Sequence, residues 1–234
     1  MKMRSAEKEK LDDLYLQGET LHKVLQSQAW INRWFGNHRA VIKAIHRVYH
    51  KEKETLRIVD LGCGGGDLAL AVVKSCRKHK IKCSITGIDG NPHTLLYAKK
   101  KCRGFREINF LLDDILEKDF SIEPYDILIS SHFMYHFSDD ALIEFLRNKL
   151  STISTAVIFS ELKRKRLALC LCKLSSFLLP VSKMAKEDGL LAIKRSLTTK
   201  EWISIMQEAG IGSYTIQNEP LFRILLTIFT IRKV

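Results

Sequence analysis

The feature that most constrains the fold is an alternation, after Leu56, of short apolar runs with stretches of helical periodicity. The runs are rich in β-branched residues and have the sequences RIVDL, CSITGID, INFLL, YDILIS and TAVIFSE. Such alternation is typical of βαβ units around a parallel sheet. Near the C-terminus, SYTIQNEPLFRILLTIFTIRKV has no room for a crossover helix between its two apolar runs. We therefore expect an α/β fold whose final strand runs antiparallel in a hairpin.

The segment ahead of the sheet has apolar residues at helical spacing, as in Leu21, Val24 and Leu25. This spacing predicts two or three helices. We therefore divide the chain into an N-terminal helical extension or cap, residues 1–50, and a sheet domain, residues 51–234.

Start signals mark three helices of the sheet domain. Asn91 is a good capping residue, and the proline after it is tolerated at the first helical position. Ser138 precedes two aspartates, whose charge favours a helix N-terminus. Thr198 and Glu201 have the spacing of a capping box.

The composition is that of a globular protein, since 46% of the 234 residues are apolar and 27% are charged. The charged start MKMRSAEKEKLDD lacks the apolar segment of a secretion signal, and no run approaches the ~18 apolar residues of a membrane span. We therefore expect a cytoplasmic protein. The six cysteines form no Cys-x-x-Cys pair and have no partnered histidine spacing, which predicts reduced thiols and no metal site.

The net charge of +12 would attract nucleic acid, anionic lipid or an acidic protein, and it does not choose among them. The basic residues are spread along the chain, with one dense run at 163–166. A solvated basic surface explains this distribution. Nucleic acid is not the expected partner, because no separate basic module is visible.

A glycine-rich loop follows the first predicted strand in RIVDLGCGGGDLALAVVK. Such a loop lets backbone approach a ligand. The dinucleotide fingerprint fails because Asp67 stands where its third glycine belongs, and no Lys-Ser or Lys-Thr of a phosphate loop follows. Asp60 and Asp67 would repel a pyrophosphate and attract a ligand that carries an ammonium and a sulfonium.

Two further acidic positions indicate an adenosine. Asp89 ends the second strand, where a carboxylate can accept hydrogen bonds from both hydroxyls of a ribose. Asp114, in FLLDDILE, can meet an adenine amino group, with the Ile115 N–H as a donor beside it. S-adenosylmethionine (SAM) satisfies all of these demands.

The motifs VDLGCGGGDLA, GIDGNP, LLDDILE and YDILISSHFMYHFSDDAL, in this order and spacing, resemble the class I SAM-dependent methyltransferases. The resemblance runs from about Leu56 to the C-terminus. A narrower resemblance, to small-molecule enzymes of quinone biosynthesis and to polyketide-associated methyltransferases, rests on SELKRKRLA, EDGLLAIKRSLTTKEW and PLFR. The wider resemblance implies a Rossmann-like α/β fold with a seven-stranded sheet in the order 3-2-1-4-5-7-6, the last strand being antiparallel. It also implies SAM as cofactor and S-adenosylhomocysteine (SAH) as product.

The resemblance also implies where SAM would bind. The glycine loop would line the methionine end, Asp89 would hold the ribose, and two serines would pass under the sulfonium. Asp67 is equally well explained by the dipole of the helix that it begins, Asp113 by exposure to solvent, and Gly90 by backbone freedom alone. The cofactor-binding candidates are Asp60, Gly62, Cys63, Gly64, Gly66, Asp89, Gly90, Asn91, Asp114, Ile115, Ser130 and Ser131.

Proton removal from an acceptor would fall to residues that follow the fourth and fifth strands. His132 and His136, in SSHFMYHF, are candidate general bases, and either could instead be structural. Glu161 could hold an acceptor hydroxyl or pair with Lys163 or Arg164. No metal is expected in this chemistry.

An insertion at about 163–190, which includes KRKRLALCLCKLSSFLLPVSKM, is predicted to be a lid. Together with Trp30, Trp34 and Phe35 it would form an apolar acceptor pocket, although core helices would explain these residues equally well. The basic leader and apolar block at 163–179 also suit peripheral contact with a membrane.

The favoured function is therefore SAM-dependent methylation of a hydroxyl, or less readily of a carbon, on an apolar aromatic or polyketide-like small molecule. One alternative is RNA methylation, which the positive charge supports. The other is a non-catalytic cofactor-binding partner in a biosynthetic complex. The sequence makes no prediction of the oligomeric state.

Overall fold

The computed structural model describes residues 3–50, 54–117, 119–176 and 179–230. Within them, seven strands form one sheet in the order β3-β2-β1-β4-β5-β7-β6. β1 to β5 are parallel to one another, and β7 runs antiparallel to both β5 and β6. The predicted sheet order and terminal hairpin are confirmed. The strands are β1 Leu56–Leu61, β2 Cys83–Asp89, β3 Ile108–Leu112, β4 Tyr125–Ser131, β5 Ile153–Leu162, β6 Tyr214–Glu219 and β7 Arg223–Phe229.

Eight α-helices lie in the described residues, and three of them begin at the predicted caps. The Asn91 side chain accepts from two backbone N–H groups, the Ser138 hydroxyl accepts from one, and Thr198 and Glu201 form the capping box. The helices are α1 Gly18–Trp34, α2 Asn37–Val48, α3 Asp67–Lys78, α4 Pro92–Lys101, α5 Asp139–Lys149, α6 Arg166–Ser176, α7 Lys183–Arg195 and α8 Thr199–Glu208.

Two hydrophobic cores cover the two faces of the sheet. Successive strand residues point to opposite faces, so Val59 enters one core and Ile58 the other. The first core contains Trp202 of α8 together with residues of α5. The second contains Val41 of α2 and residues of α3, so the second helix of the N-terminal extension packs directly on the sheet.

The predicted insertion at 163–190 contains α6 and the first part of α7. α7 lies against α1, where the Ser182 N–H donates to the Ser27 hydroxyl at 3.0 Å. None of the helices in the described ranges is both long and apolar enough to cross a membrane.

Candidate functional site

The glycine loop between β1 and α3 depends on left-handed backbone and on close packing. Gly62, Gly64 and Gly66 have φ values of 67°, 51° and 69°, which side chains rarely adopt. A Cβ at Gly62 would lie 2.5 Å from ring atoms of Phe133, which follows β4. The loop is therefore pressed against the segment after β4, at the carboxyl edge of the parallel strands.

Asp89, at the end of β2, binds this loop. Its Oδ2 accepts the Gly64 N–H at 2.9 Å, and its Oδ1 accepts the Asn91 N–H at 3.0 Å. Burial raises the pKa of Asp89, and the two hydrogen bonds oppose that rise. A carboxylate has about four lone-pair positions, so these two bonds leave capacity for further donors such as ribose hydroxyls.

The N-terminal segment crosses the end of β2 beside Asp89. The Asn91 amide donates to the carbonyls of Asp13 and Leu16 at 3.2 and 3.1 Å. A Cβ at Gly90 would lie 3.2 Å from the Leu14 side chain and 3.9 Å from the Asp114 Cα atom. The predicted ribose and adenine positions are thus neighbours.

Asp113, Asp114 and Ile115, which follow β3, differ from one another in their contacts. The Asp114 carboxylate accepts the Leu116 N–H at 3.0 Å, and the Asp113 N–H donates to the Asp89 carbonyl at 3.3 Å. The Ile115 side chain is buried in the first core. Its backbone role toward an adenine stays a prediction.

Asp60 and Asp67 lie at the two ends of the glycine loop and differ in their hydrogen-bond partners. Asp60 is buried, and its Oδ2 has no hydrogen-bond partner. Burial, followed by the charges of Asp67 and Asp89, raises the pKa of Asp60 well above its usual range. Such an unpartnered oxygen fits a cationic group, because a cation would lower the cost of ionising it.

Asp67, the first residue of α3, is bound by the N-terminal helices. It accepts a hydrogen bond from Asn32 at 3.3 Å and lies 2.7 Å from Nε2 of His38. Although burial opposes it, these contacts hold the pKa of Asp67 below its usual value. We call residues 60–67, Asp89–Asn91 and Asp114 the glycine-loop side of the site.

The end of β4 is fixed to its neighbours by side chains. The Ser130 hydroxyl donates to the Leu61 carbonyl at 2.9 Å, which ties β4 to β1. The Asn37 amide donates to the Ser131 hydroxyl at 2.6 Å, and the Ser160 hydroxyl donates to the Asn37 amide oxygen at 2.6 Å. Sequence reasoning missed Asn37, and the only signal was a polar residue directly after Gly36 at the α1–α2 corner.

His132 follows β4 with a φ of 56°, an uncommon value for a non-glycine residue. Its N–H donates to the Ser160 carbonyl at 3.0 Å, while its ring Nδ1 is buried without a partner. Burial, with a further contribution from the charge of Arg223, lowers the pKa of His132 to about 3. The imidazole is therefore neutral near pH 7 and has a free nitrogen.

Arg223, at the start of β7, is a buried cation that sequence reasoning did not single out. Its Nη1 donates to the Phe35 carbonyl at 2.9 Å, and its Nε is buried without a partner. Burial lowers its pKa to about 10, so it stays charged at neutral pH. The signal in the sequence was an arginine within the apolar run PLFRILL.

The aromatic residues expected to line an acceptor pocket meet at the same corner. The Trp30 ring lies 6.3 Å from that of Trp34 and 6.0 Å from that of Phe35. We call Asn37, His132, Ser160 and Arg223, together with these aromatic rings, the corner side of the site.

Glu161, at the end of β5, holds the segment after β4. Its Oε1 accepts the N–H groups of Phe133 and Met134 at 3.1 and 3.0 Å, and its Oε2 has no partner. Burial raises the pKa of Glu161 to about 7. The suggested pairing with Lys163 or Arg164 is wrong, because these bind Asn218 and Glu201 respectively.

His136 lies in a separate polar cluster with the N-terminal segment. Its Nδ1 is 3.3 Å from Asp12 Oδ1 and 3.2 Å from Arg195 Nη2. Glu9, Asp12 and His136 offer ligand atoms within 4.8 Å of one another. The Arg195 guanidinium already binds Asp12 at 2.7 Å and Glu9 at 3.5 Å. This cluster therefore contains its own cation.

The family model described as "Methyltransferase domain" matches residues 52–210. Curated protein sequences gave no significant match. The solved structures that share the fold include the following three. The plantazolicin methyltransferase BpumL in complex with SAH is 17% identical over 92% of this chain and 96% of its own, with a TM-score of 0.64. A Nostoc punctiforme protein proposed to be an O-methyltransferase is 16% identical over 94% and 68%, with a TM-score of 0.63. Human N-acetylserotonin methyltransferase in complex with SAM is 16% identical over 94% and 61%, with a TM-score of 0.60.

Proposed function

This chain belongs to the methyltransferase-domain family, as its motifs predicted, and on that premise we propose that it methylates a hydroxyl of an apolar aromatic or polyketide-like small molecule. SAM is the methyl donor and SAH the product. This proposal rests on one observation, which is that two different groups of polar side chains lie at the same edge of the sheet. The glycine-loop side has a buried, unpartnered Asp60 oxygen, and the corner side has a neutral His132 and a charged Arg223 that binds the Phe35 carbonyl.

On the glycine-loop side, each group has a task in holding the donor. Asp89 would accept the ribose hydroxyls, and Asp60 would face the positively charged methionine end. The left-handed glycines let backbone approach the ligand. When bound, SAM supplies a methyl group on a positively charged sulfur, which reacts by in-line displacement, so the placement of the acceptor provides much of the rate.

On the corner side, the acceptor hydroxyl would donate a hydrogen bond to His132 Nδ1. Because the pKa of His132 is about 3, this residue orients the hydroxyl and does not accept its proton as a general base. Arg223 lowers the cost of ionising a hydroxyl nearby, since its guanidinium stays charged. Glu161, with a pKa of about 7 and a free Oε2, is the remaining candidate for receiving the proton.

The test is a methyl-transfer assay with radiolabelled SAM. Apolar phenols and quinone precursors should become labelled, and bulk RNA should not. Labelling of RNA alone would contradict the proposal. SAH binding without transfer to any substrate would instead favour the non-catalytic role.

A further inference from the structure

The outer face of α6 has a row of exposed leucines. Leu167, Leu171 and Leu174 are 52%, 46% and 67% exposed, although a helix would normally bury such a row. Their spacing of four and three residues places them on one face of the helix. Ala168, on the other face, is 5% exposed and fixes which side is turned inward.

The hairpin between β6 and β7 adds a second apolar element beside α6. Leu221 and Phe222 have φ values of 60° and 58°, a conformation that is strained for residues other than glycine. This turn leaves Leu221 55% exposed. It is joined to the segment before α6, because the Lys163 N–H donates to the Phe222 carbonyl at 2.7 Å and the Lys165 ammonium lies 5.6 Å from the Phe222 ring centre.

The positive charge beside the leucines indicates which kind of partner this surface would bind. Lys165 and Arg166 are exposed at the start of α6, next to the leucines, and the chain carries a net charge of +12. A second copy of the chain would bring like charges together. An anionic lipid surface offers both an apolar layer for the leucines and negative head groups for the cations.

We propose that α6 and the Leu221 turn form a docking surface for anionic membranes. α6, which has 11 residues, is too short to span a bilayer and would lie in its interface. The surface adjoins the corner side, since Arg223 follows Phe222 directly and binds the Phe35 carbonyl. Docking would bring an apolar acceptor dissolved in the membrane next to the site. The docking surface itself does not depend on the identity of the acceptor.

The experiment is sedimentation of the full chain with vesicles. Phosphatidylcholine vesicles containing about one third phosphatidylglycerol should retain the protein, and pure phosphatidylcholine vesicles should retain much less. The triple variant Leu167→Ser, Leu171→Ser, Leu174→Ser should lower the partition coefficient at least about 10-fold. Its residues are exposed, so folding should be preserved, as circular dichroism can verify.

Helix α4 provides matched controls. Leu96 is 63% exposed, and Leu96→Ser should change partitioning less than about 2-fold, whereas Leu171→Ser alone should change it by roughly 3-fold. The double reversals Lys165→Glu, Arg166→Glu and Lys99→Glu, Lys100→Glu each lower the net charge from +12 to +8, since each substitution removes two units. The α6 reversal should reduce binding about 10-fold more than the α4 reversal.

Three results would overturn the proposal. Failure of the wild-type protein to sediment with anionic vesicles would exclude membrane docking. Equal losses in the α6 and α4 charge reversals would show that only the net charge acts. Concentration-dependent dimerisation that the leucine variant abolishes would assign the face to a second copy of the chain.

Discussion

The Asp89 contacts of the glycine-loop side and the contacts of the corner side differ in how far apart in the sequence the bonded residues lie. On the glycine-loop side, Asp89 binds Gly64 and Asn91, which lie within 25 residues of it. On the corner side, Asn37 reaches Ser160 across 123 residues, and Arg223 reaches Phe35 across 188. The Asp89 contacts lie within one βαβ unit, whereas Asp67 and Asn91 are also bound by residues of the N-terminal segment. The corner side exists only once the N-terminal helices and the last hairpin have packed on the sheet.

The difference has a chemical counterpart. The Asp89 carboxylate binds backbone N–H groups, which any sequence supplies, and the left-handed glycines give the loop its shape. The corner side relies on particular side chains, and two of them, His132 and Arg223, keep a buried polar atom without a partner. We infer that the glycine-loop side determines which cofactor binds and that the corner side determines which acceptor does.

The largest expected effect is a pH dependence of the free energy of unfolding. It concerns Glu9, which lies in the N-terminal segment and contacts residues far away in the sequence. Burial, and then the charges of Asp12 and Asp188, raise the pKa of Glu9 from 4.5 to about 8, while Arg195 and Tyr135 partly oppose that rise. Because the pKa of Glu9 is raised in the folded state, protonated Glu9 contributes stability that is fully present below pH 4.5 and is lost as the pH rises through about 8. Across this window the free energy of unfolding should fall by up to about 5 kcal/mol.

Denaturant unfolding at several pH values measures this loss. Glu9→Gln should have a much flatter profile than the wild type between about pH 5 and pH 8.5, because its amide cannot ionise. The exposed Glu7→Gln is the control and should follow the wild-type profile. Identical slopes for all three proteins would show that the buried carboxyl of Glu9 does not couple folding to pH.

The next effect concerns the glycine-loop side. Gly62→Ala should lower the free energy of unfolding by roughly 2–5 kcal/mol, because a Cβ there combines left-handed backbone with a clash against Phe133. Gly104→Ala, which meets open space, should change it by less than about 0.5 kcal/mol. Urea denaturation of both variants checks the prediction, and equal stabilities would mean that the loop tolerates a side chain at Gly62.

The smallest effect concerns the corner side. Arg223→Met keeps a long apolar side chain and removes the guanidinium, so kcat/KM for the acceptor should fall about 10- to 100-fold. Arg103→Met, at an exposed position, serves as the control and should retain wild-type turnover. Wild-type kinetics in both variants would show that Arg223 takes no part in binding or turnover of the acceptor.

The parts of the structure that could be predicted from the sequence rest on local rules. The caps at Asn91, Ser138 and Thr198 follow from side chains that bond backbone two or three residues away. The direction of β7 follows from a connection too short for a crossover helix.

The contacts of the corner side could not be predicted in this way. The partners of Asn37 depend on how α2 meets β4 and β5, and no local spacing encodes that contact. The backbone contacts of Glu161 were missed for the same reason, because they go to Phe133 and Met134, 28 and 27 residues earlier.

The separation of the two sides is tested most directly by calorimetric titration of SAH into the wild type, Asp89→Ala and Arg223→Met. The wild type should bind SAH, and Arg223→Met should bind it with an unchanged Kd. Asp89→Ala should bind roughly 30- to 1000-fold more weakly, because it loses charge-assisted hydrogen bonds to the ribose and the loop. Absence of SAH binding in the wild type, or equal weakening in both folded variants, would contradict the account.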